Sequence, residues 1–513
     1  MKRVFRLLLI LSLLAAVPVP VLADGVDVKV KGEWEFAFGW VKNDAFSRSV
    51  HGDADVSSDP IVAMHRARVQ IDFIMSEYLS GVLMLESGPV TWGRADGNVG
   101  VNSGGGINSD GASLAVKHLY LDWMLPETEI RVRMGLQPIL VPTTRLGTPA
   151  IDSDMAGITL SVPLGDITEL TLLWVRPFDN YNFDGDDPRF DETDIFGLIL
   201  PLEFENLGLK LTPWFAYGRI GGGSGFYDWI FREEYGNTVG VDYIDDQNNF
   251  YSAHSARSSS SGVFWLGALL EFDLLDPLQF SLEAIYGRLR KADLTGLGGE
   301  EFMLGYGGGP RHIGTSGWYV AGTLDYKLDI TDDFSMVPGI FAWWSSGDDK
   351  NAWRTGKLGR LPYLSAFETG FAATSFGTGG GFSKAGDGLI SSTGLGLWGV
   401  GLQLADITNP YVEGLSHTLR VAWYSGTNSS DGVREYGGSV FGYGEDAFYL
   451  TDKDHVLEVN FDHQWELYEN LTAAVELGWL RLHADREVWG DSGPGSKTGQ
   501  NAWKAQVMFN FKF

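Results

Sequence analysis

The chain has 513 residues, 38 Lys+Arg against 66 Asp+Glu, and a formal net charge of −28 at pH 7. Such an acidic balance argues against nucleic acid or an anionic membrane surface as an electrostatic partner, and the absence of cysteine excludes disulfides, thiolate metal centres and thiol nucleophiles. Glycine is abundant at 67 residues and aromatics make up 13%. No apolar run after the first twenty-odd residues is long enough for a spanning helix, so a chain of this kind can cross a bilayer only as a closed barrel.

At the start, Lys2, Arg3 and Arg6 precede an apolar stretch from Leu7 to Val17, and Val21-Leu22-Ala23 offers small residues suited to cleavage. This predicts a signal peptide over 1–23 and a single domain over 24–513. The first strand is expected within a few residues of that cleavage point. A globular plug is therefore not expected before the barrel, and only loops would narrow the lumen.

Period-two alternation then dominates. Val28, Val30, Trp34, Phe36, Phe38 and Trp40 share one face of an extended chain, while Lys29, Lys31, Glu33 and Glu35 share the other. Further on, Ala67, Val69, Ile71 and Phe73 oppose Arg66, Arg68, Gln70 and Asp72. Likewise Ile130, Val132, Met134 and Leu136 oppose Arg131, Arg133 and Gln137. Successive strand side chains point to opposite faces, and apolar-out with charge-in is the pattern of a water-filled transmembrane barrel.

The same reading places strands at 27–42, 60–75, 80–90, 113–125, 129–137, 155–163, 168–177, 193–204 and 208–219. It continues at 261–273, 278–290, 316–328, 333–346, 393–405, 414–425, 454–466, 470–482 and 502–513. The expected fold is all-β, an antiparallel barrel of 16–18 strands: eighteen by direct count, sixteen if one hairpin folds inside a loop. Short turns alternate with long Gly/Asp/Ser-rich loops, the arrangement of bacterial outer-membrane barrels with short periplasmic turns. Tyr78, Trp123, Trp465 and Tyr468 flank turns and are candidates for an interfacial aromatic girdle.

The segment 138–154, PILVPTTRLGTPAIDSD, is the candidate inward constriction loop. Its three prolines oppose strand continuation, and it carries Arg145, Asp152 and Asp154. Glu33, Glu35, Arg66, Arg68, Asp72, Arg131 and Arg133 are candidate lining residues. A basic wall facing acidic loop residues would set a transverse field and make charge the selectivity filter; equally, the arginines would pair with neighbouring carboxylates such as Asp72. In 179–194, Asp184, Asp186 and Asp187 are oxygen ligands dense enough for calcium, but the calcium-loop spacing is missing and a solvated acidic loop fits better. No other metal site and no cofactor is expected. The nine histidines are scattered, with only His455 and His463 close in sequence. No nucleophile elbow or strand–helix phosphate loop occurs, so no enzyme activity is expected.

The final strand, NAWKAQVMFNFKF, puts Trp503, Ala505, Val507, Phe509, Phe511 and Phe513 on one face. Lys504, Gln506, Asn510 and Lys512 take the other, with Met508 the apolar exception. It is expected to pair with the first strand and remove the sheet edge.

KGEWEFAFG (31–39), VKHLYLDWMLPETEIRVRMGLQ (116–137), DMAGITLS (154–161), LWVRPFDNYN (173–182) and LPLEFENLGLKLTPWFAYG (200–218) resemble the homotrimeric outer-membrane porins of sulfate-reducing bacteria. The resemblance implies a trimer of barrels, each with its own pore and an inward loop, embedded among outer-membrane lipid and lipopolysaccharide. It also implies passive diffusion of small hydrophilic solutes. Phe509, Phe511 and Phe513 resemble the C-terminal signal read by the barrel-assembly machinery. A substrate-specific channel, an outer-membrane enzyme and a closed adhesive barrel are the alternative readings.

Overall fold

In the computed structural model the described residues are 25–43, 61–93, 114–165, 168–179, 192–221, 260–293, 312–331, 333–365, 373–374, 394–436, 450–489 and 500–513, with 224, 226, 243–244 and 250–251. The expected leader over 1–23 and Asp184, Asp186 and Asp187 lie outside them.

Eighteen strands close one sheet. The first nine are β1 (Asp27–Asn43), β2 (Ile61–Ser76), β3 (Leu79–Thr91), β4 (Leu114–Met124), β5 (Arg131–Leu140), β6 (Ile151–Leu164), β7 (Thr168–Asp179), β8 (Glu192–Ile199, resumed at Leu202–Phe204) and β9 (Leu209–Ile220). Next come β10 (Ser261–Phe272), β11 (Leu278–Asp293), β12 (His312–Tyr326, resumed at Leu328–Thr331), β13 (Phe334–Ser345) and β14 (Leu397–Thr408). The last four are β15 (Leu415–Gly426), β16 (His455–Tyr468), β17 (Leu471–His483) and β18 (Gln500–Lys512). Each pairs antiparallel with the next, and β18 pairs back with β1. The sixteen-strand alternative is thereby excluded, because every predicted hairpin is part of the wall.

Closure is completed by two backbone hydrogen bonds, Gly32 N to Phe513 O (2.8 Å) and Phe513 N to Gly32 O (3.0 Å). The Phe513 ring covers Gly32 so closely that a Cβ there would lie 2.7 Å from it. Trp34 packs on both Phe511 and Phe513, with centroids 5.8 and 5.7 Å apart. Satisfying the last edge in this way is what an apolar environment demands of a sheet.

The outer face is apolar, with exposed Val30, Leu119, Leu266, Ile340, Leu402, Phe461 and Leu477. Exposed rings mark its two borders: Trp92, Trp318, Trp344, Trp398, Trp423 and Trp503 toward the long loops, and Tyr78, Phe204, Tyr326, Trp465 and Tyr468 toward the short turns. An apolar band between two aromatic belts is the geometry of a barrel that spans a bilayer. No helix among the described residues is long and apolar enough to do so.

Two boundaries differ from expectation in a way that matters. Pro138 belongs to β5, opposite Asp154, and Ile139 and Leu140 continue the ladder against Ser153 and Asp152. The proline removes a single donor near the strand end, and its neighbours hold the register. The loop proper is therefore 141–150, shorter than 138–154.

Candidate pore lining and the inward loop

The loop 141–150 leaves the long-loop end of β5 and crosses to the far wall. Its base is tied by Val141 N to Ile151 O (3.1 Å). Two threonines shape it: Thr144 accepts from Leu146 N and Thr148 from Ala150 N, both at 3.3 Å, and Thr144 O accepts from Gly147 N at 3.1 Å. Such side-chain and backbone turns satisfy a chain that has no ladder of its own.

The far wall receives the loop at several points. Glu283 of β11 is fully buried and accepts from Thr143 Oγ1 (2.9 Å) and Thr144 N (3.2 Å) through one carboxyl oxygen. Arg145 donates through Nε and Nη2 to the two oxygens of Asp325 on β12 (2.8 and 3.0 Å) and through Nη1 to Gln403 on β14 (3.0 Å). Its guanidinium also stands 5.6 Å from the Phe341 ring centroid of β13. Tyr319 OH donates to Gly147 O (3.3 Å). A forked arginine holding a carboxylate at two points fixes both position and angle, so the loop is latched at its tip as well as at its base.

A second inward segment lies beside it. Leu364 and Ser365 pair in parallel with Ile151 and Asp152, and Leu364 N donates to Ala150 O (2.7 Å). Trp265 Nε1 donates to Pro362 O (2.7 Å), and Thr315 Oγ1 donates to Arg360 O. The wall opposite is smoothed by glycine. A Cβ on Gly317 would lie 2.5 Å from the Arg360 and Leu361 backbone, and one on Gly287 2.8 Å from Leu361. Glycine here serves close approach of one backbone to another wall.

The charged lining lies on the other side. Glu33, Glu35, Arg66, Arg68, Asp72, Arg131 and Arg133 all face inward, on the side opposite exposed Trp34, Phe73 and Met134. Arg66 meets Glu35 through Nε and Nη2, each at 2.7 Å. Arg68 joins Glu86 (2.5 Å) and Glu33 (3.4 Å). Arg133 holds Asp122 at 3.1 and 2.7 Å and stands 4.7 Å over the Tyr120 ring, and Arg131 reaches the same carboxylate at 3.4 Å. Asp72 takes Lys31 (3.2 Å) and Gln70 (2.6 Å).

The candidates thus divide. Arg145 sits on the loop and faces an acid of the wall. Asp154 binds Lys117 (2.8 Å) and His118 (2.9 Å) of β4, and Asp152 pairs beside Ser365 at the loop base. Arg131 and Arg133 fall within the first three residues of β5, at the short-turn mouth, whereas Arg66 lies deeper and is only 3% exposed.

Sequence reasoning missed Glu86, Asp122, Glu283, Asp325 and Gln403. The first two were readable as cross-strand partners once the register is known: Arg68 lies opposite Glu86, and Arg133 opposite Asp122. The other three have partners more than a hundred residues away, which no local pattern encodes. It also missed that His417 lies opposite His463, Nδ1 to Nδ1 at 2.7 Å, and His455 opposite His483. No group of three or more potential metal ligands occurs among the described residues.

No protein-family model matches this chain, and no curated protein does. Solved structures resemble it in outline. The outer membrane channel DcaP of Acinetobacter baumannii is 9% identical with a TM-score of 0.40, over 96% of this chain and 99% of that one. OpdL of Pseudomonas aeruginosa is 11% identical at 0.45, over 96% and 99%. OccAB3 of Acinetobacter baumannii is 12% identical at 0.44, over 96% and 100%.

Proposed function

We propose that the protein is an outer-membrane porin, a channel for passive diffusion of small hydrophilic solutes and ions. The observation that carries this reading is the inner charged wall of a closed membrane-spanning sheet. Arg131 is 56% exposed within the lumen side of β5 and shares Asp122 with Arg133. Ionised groups kept on the inner face of a barrel need water or each other, and here they have both. No energy input or cofactor enters the mechanism: solutes move down their gradient past paired charges whose field favours polar, oriented species. By its resemblance to the porins of sulfate-reducing bacteria, the working unit is a homotrimer.

A substrate-specific channel is the second reading. Two observations favour it: the loop tip is latched by Arg145 to Asp325, and Arg66 and Lys504 are almost fully enclosed. A narrow, rigid passage selects by fit as well as by charge.

Planar-bilayer recording tests both. Purified protein gives stepwise ohmic conductance, in threes for a trimer. Absence of conductance sinks the channel, and saturable block by one solute class moves the reading to a specific pore. Phe509, Phe511 and Phe513 are assigned as the assembly signal. Removing Phe513 then lowers the inserted amount while leaving the unitary conductance of inserted channels unchanged, as counted from steps per unit of protein.

A further inference from the structure

Two strands carry outward arginines at the long-loop border, and neither arginine set has a side-chain partner among the described residues. On β11 the outward positions run Leu282, Ala284, Tyr286, Arg288, Arg290; on β17 they run Leu477, Trp479, Arg481, His483. The outward direction of Tyr286, Arg288 and Arg481 follows from register, and Arg290 lies in the bulge after buried Leu289 and is itself exposed. Tyr286 lies opposite exposed Leu266 and Trp318, and Arg481 opposite exposed Leu457. Arg288, Arg290 and Arg481 are all exposed, and none has an ion pair or side-chain hydrogen bond among the described residues.

Each arginine stands directly above packed rings. Tyr286 lies 4.8 Å from Trp318 and 5.8 Å from Phe264, centroid to centroid. Trp479 lies 6.1 Å from Trp503, and His455 stacks on His483 at 4.6 Å. Aliphatic, then aromatic, then guanidinium is the order in which a bilayer itself changes from hydrocarbon to interface to headgroup. Two residues of strand advance about 6.6 Å, so each first arginine sits one headgroup step beyond its rings.

Among the described residues the opposite border has no such arginine. Its exposed acids include Glu127, Glu129, Glu205, Asp273 and Asp276, and its exposed Lys29 and Lys327 already face Asp27 (4.0 Å) and Asp329 (3.8 Å). Outward arginines left unpaired by the described residues, at one border of so acidic a protein, call for an anion from outside them. Guanidinium matches phosphate oxygens in fork geometry.

We propose that Arg288 with Arg290, and Arg481 with the His455–His483 stack, are two docking sites for phosphorylated lipid headgroups of the leaflet on the long-loop side. This rests on the membrane-spanning reading but not on conductance. The sites orient the barrel in its leaflet and hold a lipid shell against the wall.

The test uses the full chain in detergent, with native mass spectrometry counting bound short-chain phosphatidic acid. Each charge near an anionic lipid surface contributes about a fivefold change in affinity. Arg288→Gln/Arg290→Gln and Arg481→Gln are therefore expected to weaken binding about fivefold per arginine, while the corresponding lysine variants keep most of it. Unchanged binding in both glutamine variants overturns the proposal. So does equal binding of the matching uncharged diacylglycerol, or competition by inorganic phosphate at the lipid's own concentration, which would make these free-anion sites. Conductance measured on the same variants is expected to equal that of the parent. A silent parent channel with arginine-dependent lipid binding would refute the porin and leave the lipid sites standing.

Discussion

Across β9–β13 the inner face is built of Trp214, Trp265, Ile285, Tyr319, Phe341 and Trp343, whereas across β1–β5 it is built of Glu33, Glu35, Arg66, Arg68, Asp122 and Arg133. The two halves of one wall solve opposite problems. Inward apolar surface gains stability only when something covers it, and the loop 141–150 and the second inward segment, 356–365, do so, contributing Leu146, Ala150, Leu361 and Leu364 to a core inside the barrel. Inward charge gains only when paired or wetted, and that half pairs along its own strands. The contrast shows why the inward loop crosses the lumen rather than lying against its parent strand. The cover belongs where apolar wall is bare, and the charged wall is left as the lining.

The sharpest break is in the charged half. Arg66→Met leaves Glu35, whose side chain is 16% exposed, without its guanidinium, and the about 3–5 kcal/mol lost on breaking a fully buried pair is the upper bound here. The urea midpoint in micelles is expected to fall accordingly, and Arg66→Met/Glu35→Met to recover most of the loss. Failure of the double variant to recover would mean that Glu35 is stabilised by water rather than by Arg66. In the apolar half the equivalent blow is steric. Gly317→Leu drives a side chain into the Arg360–Leu361 backbone, and overpacking costs about 1–3 kcal/mol. The expected signature there is double: a lower midpoint, and larger or noisier unitary conductance as 356–365 lifts from the wall. A lower midpoint with unchanged conductance would separate that segment from the passage.

The same contrast explains what could be read from the sequence. Over 28–36, 66–73 and 130–134 charged or polar residues alternate with apolar ones or glycine, and the predicted 27–42 and 60–75 match Asp27–Asn43 and Ile61–Ser76 to within a residue. Alternation also put Met508 on the polar face, where the structure packs it beside Ala37 and Met64. In β13 the signal degrades. Phe341 and Trp343 face inward while Ile340 and Trp344 face outward, so both faces read as apolar and period two cannot say which is covered. The strand is still legible from its turns and length, but its role as a landing surface is not. The latch is less legible again: Arg145 and Asp325 are 180 positions apart, and only the closed sheet brings them together. A charge in a proline-rich loop must be solvated or paired, which is what makes Arg145 a candidate. Its partner needed the fold.

The smallest effect should come from the mouth of the charged half, and its size measures how steeply the lining narrows. Arg131 and Arg133 share Asp122 near the short turns, with side chains 56% and 36% exposed, so water and salt screen them where they do not screen Arg66. Exposed pairs contribute about 0–1 kcal/mol, and Arg131→Gln/Arg133→Gln should leave the unfolding midpoint nearly unmoved. Removing two positive charges and freeing Asp122 still makes the mouth more negative, so the reversal potential across a salt gradient moves toward cations. Because the Debye length grows from about 8 Å at physiological salt to about 30 Å at 0.01 M, that shift is expected to enlarge as salt is lowered. A shift that is large and independent of salt would place the narrowest point at β5's first residues. It would also make the loop latch at Arg145 a support of the wall rather than the edge of the passage.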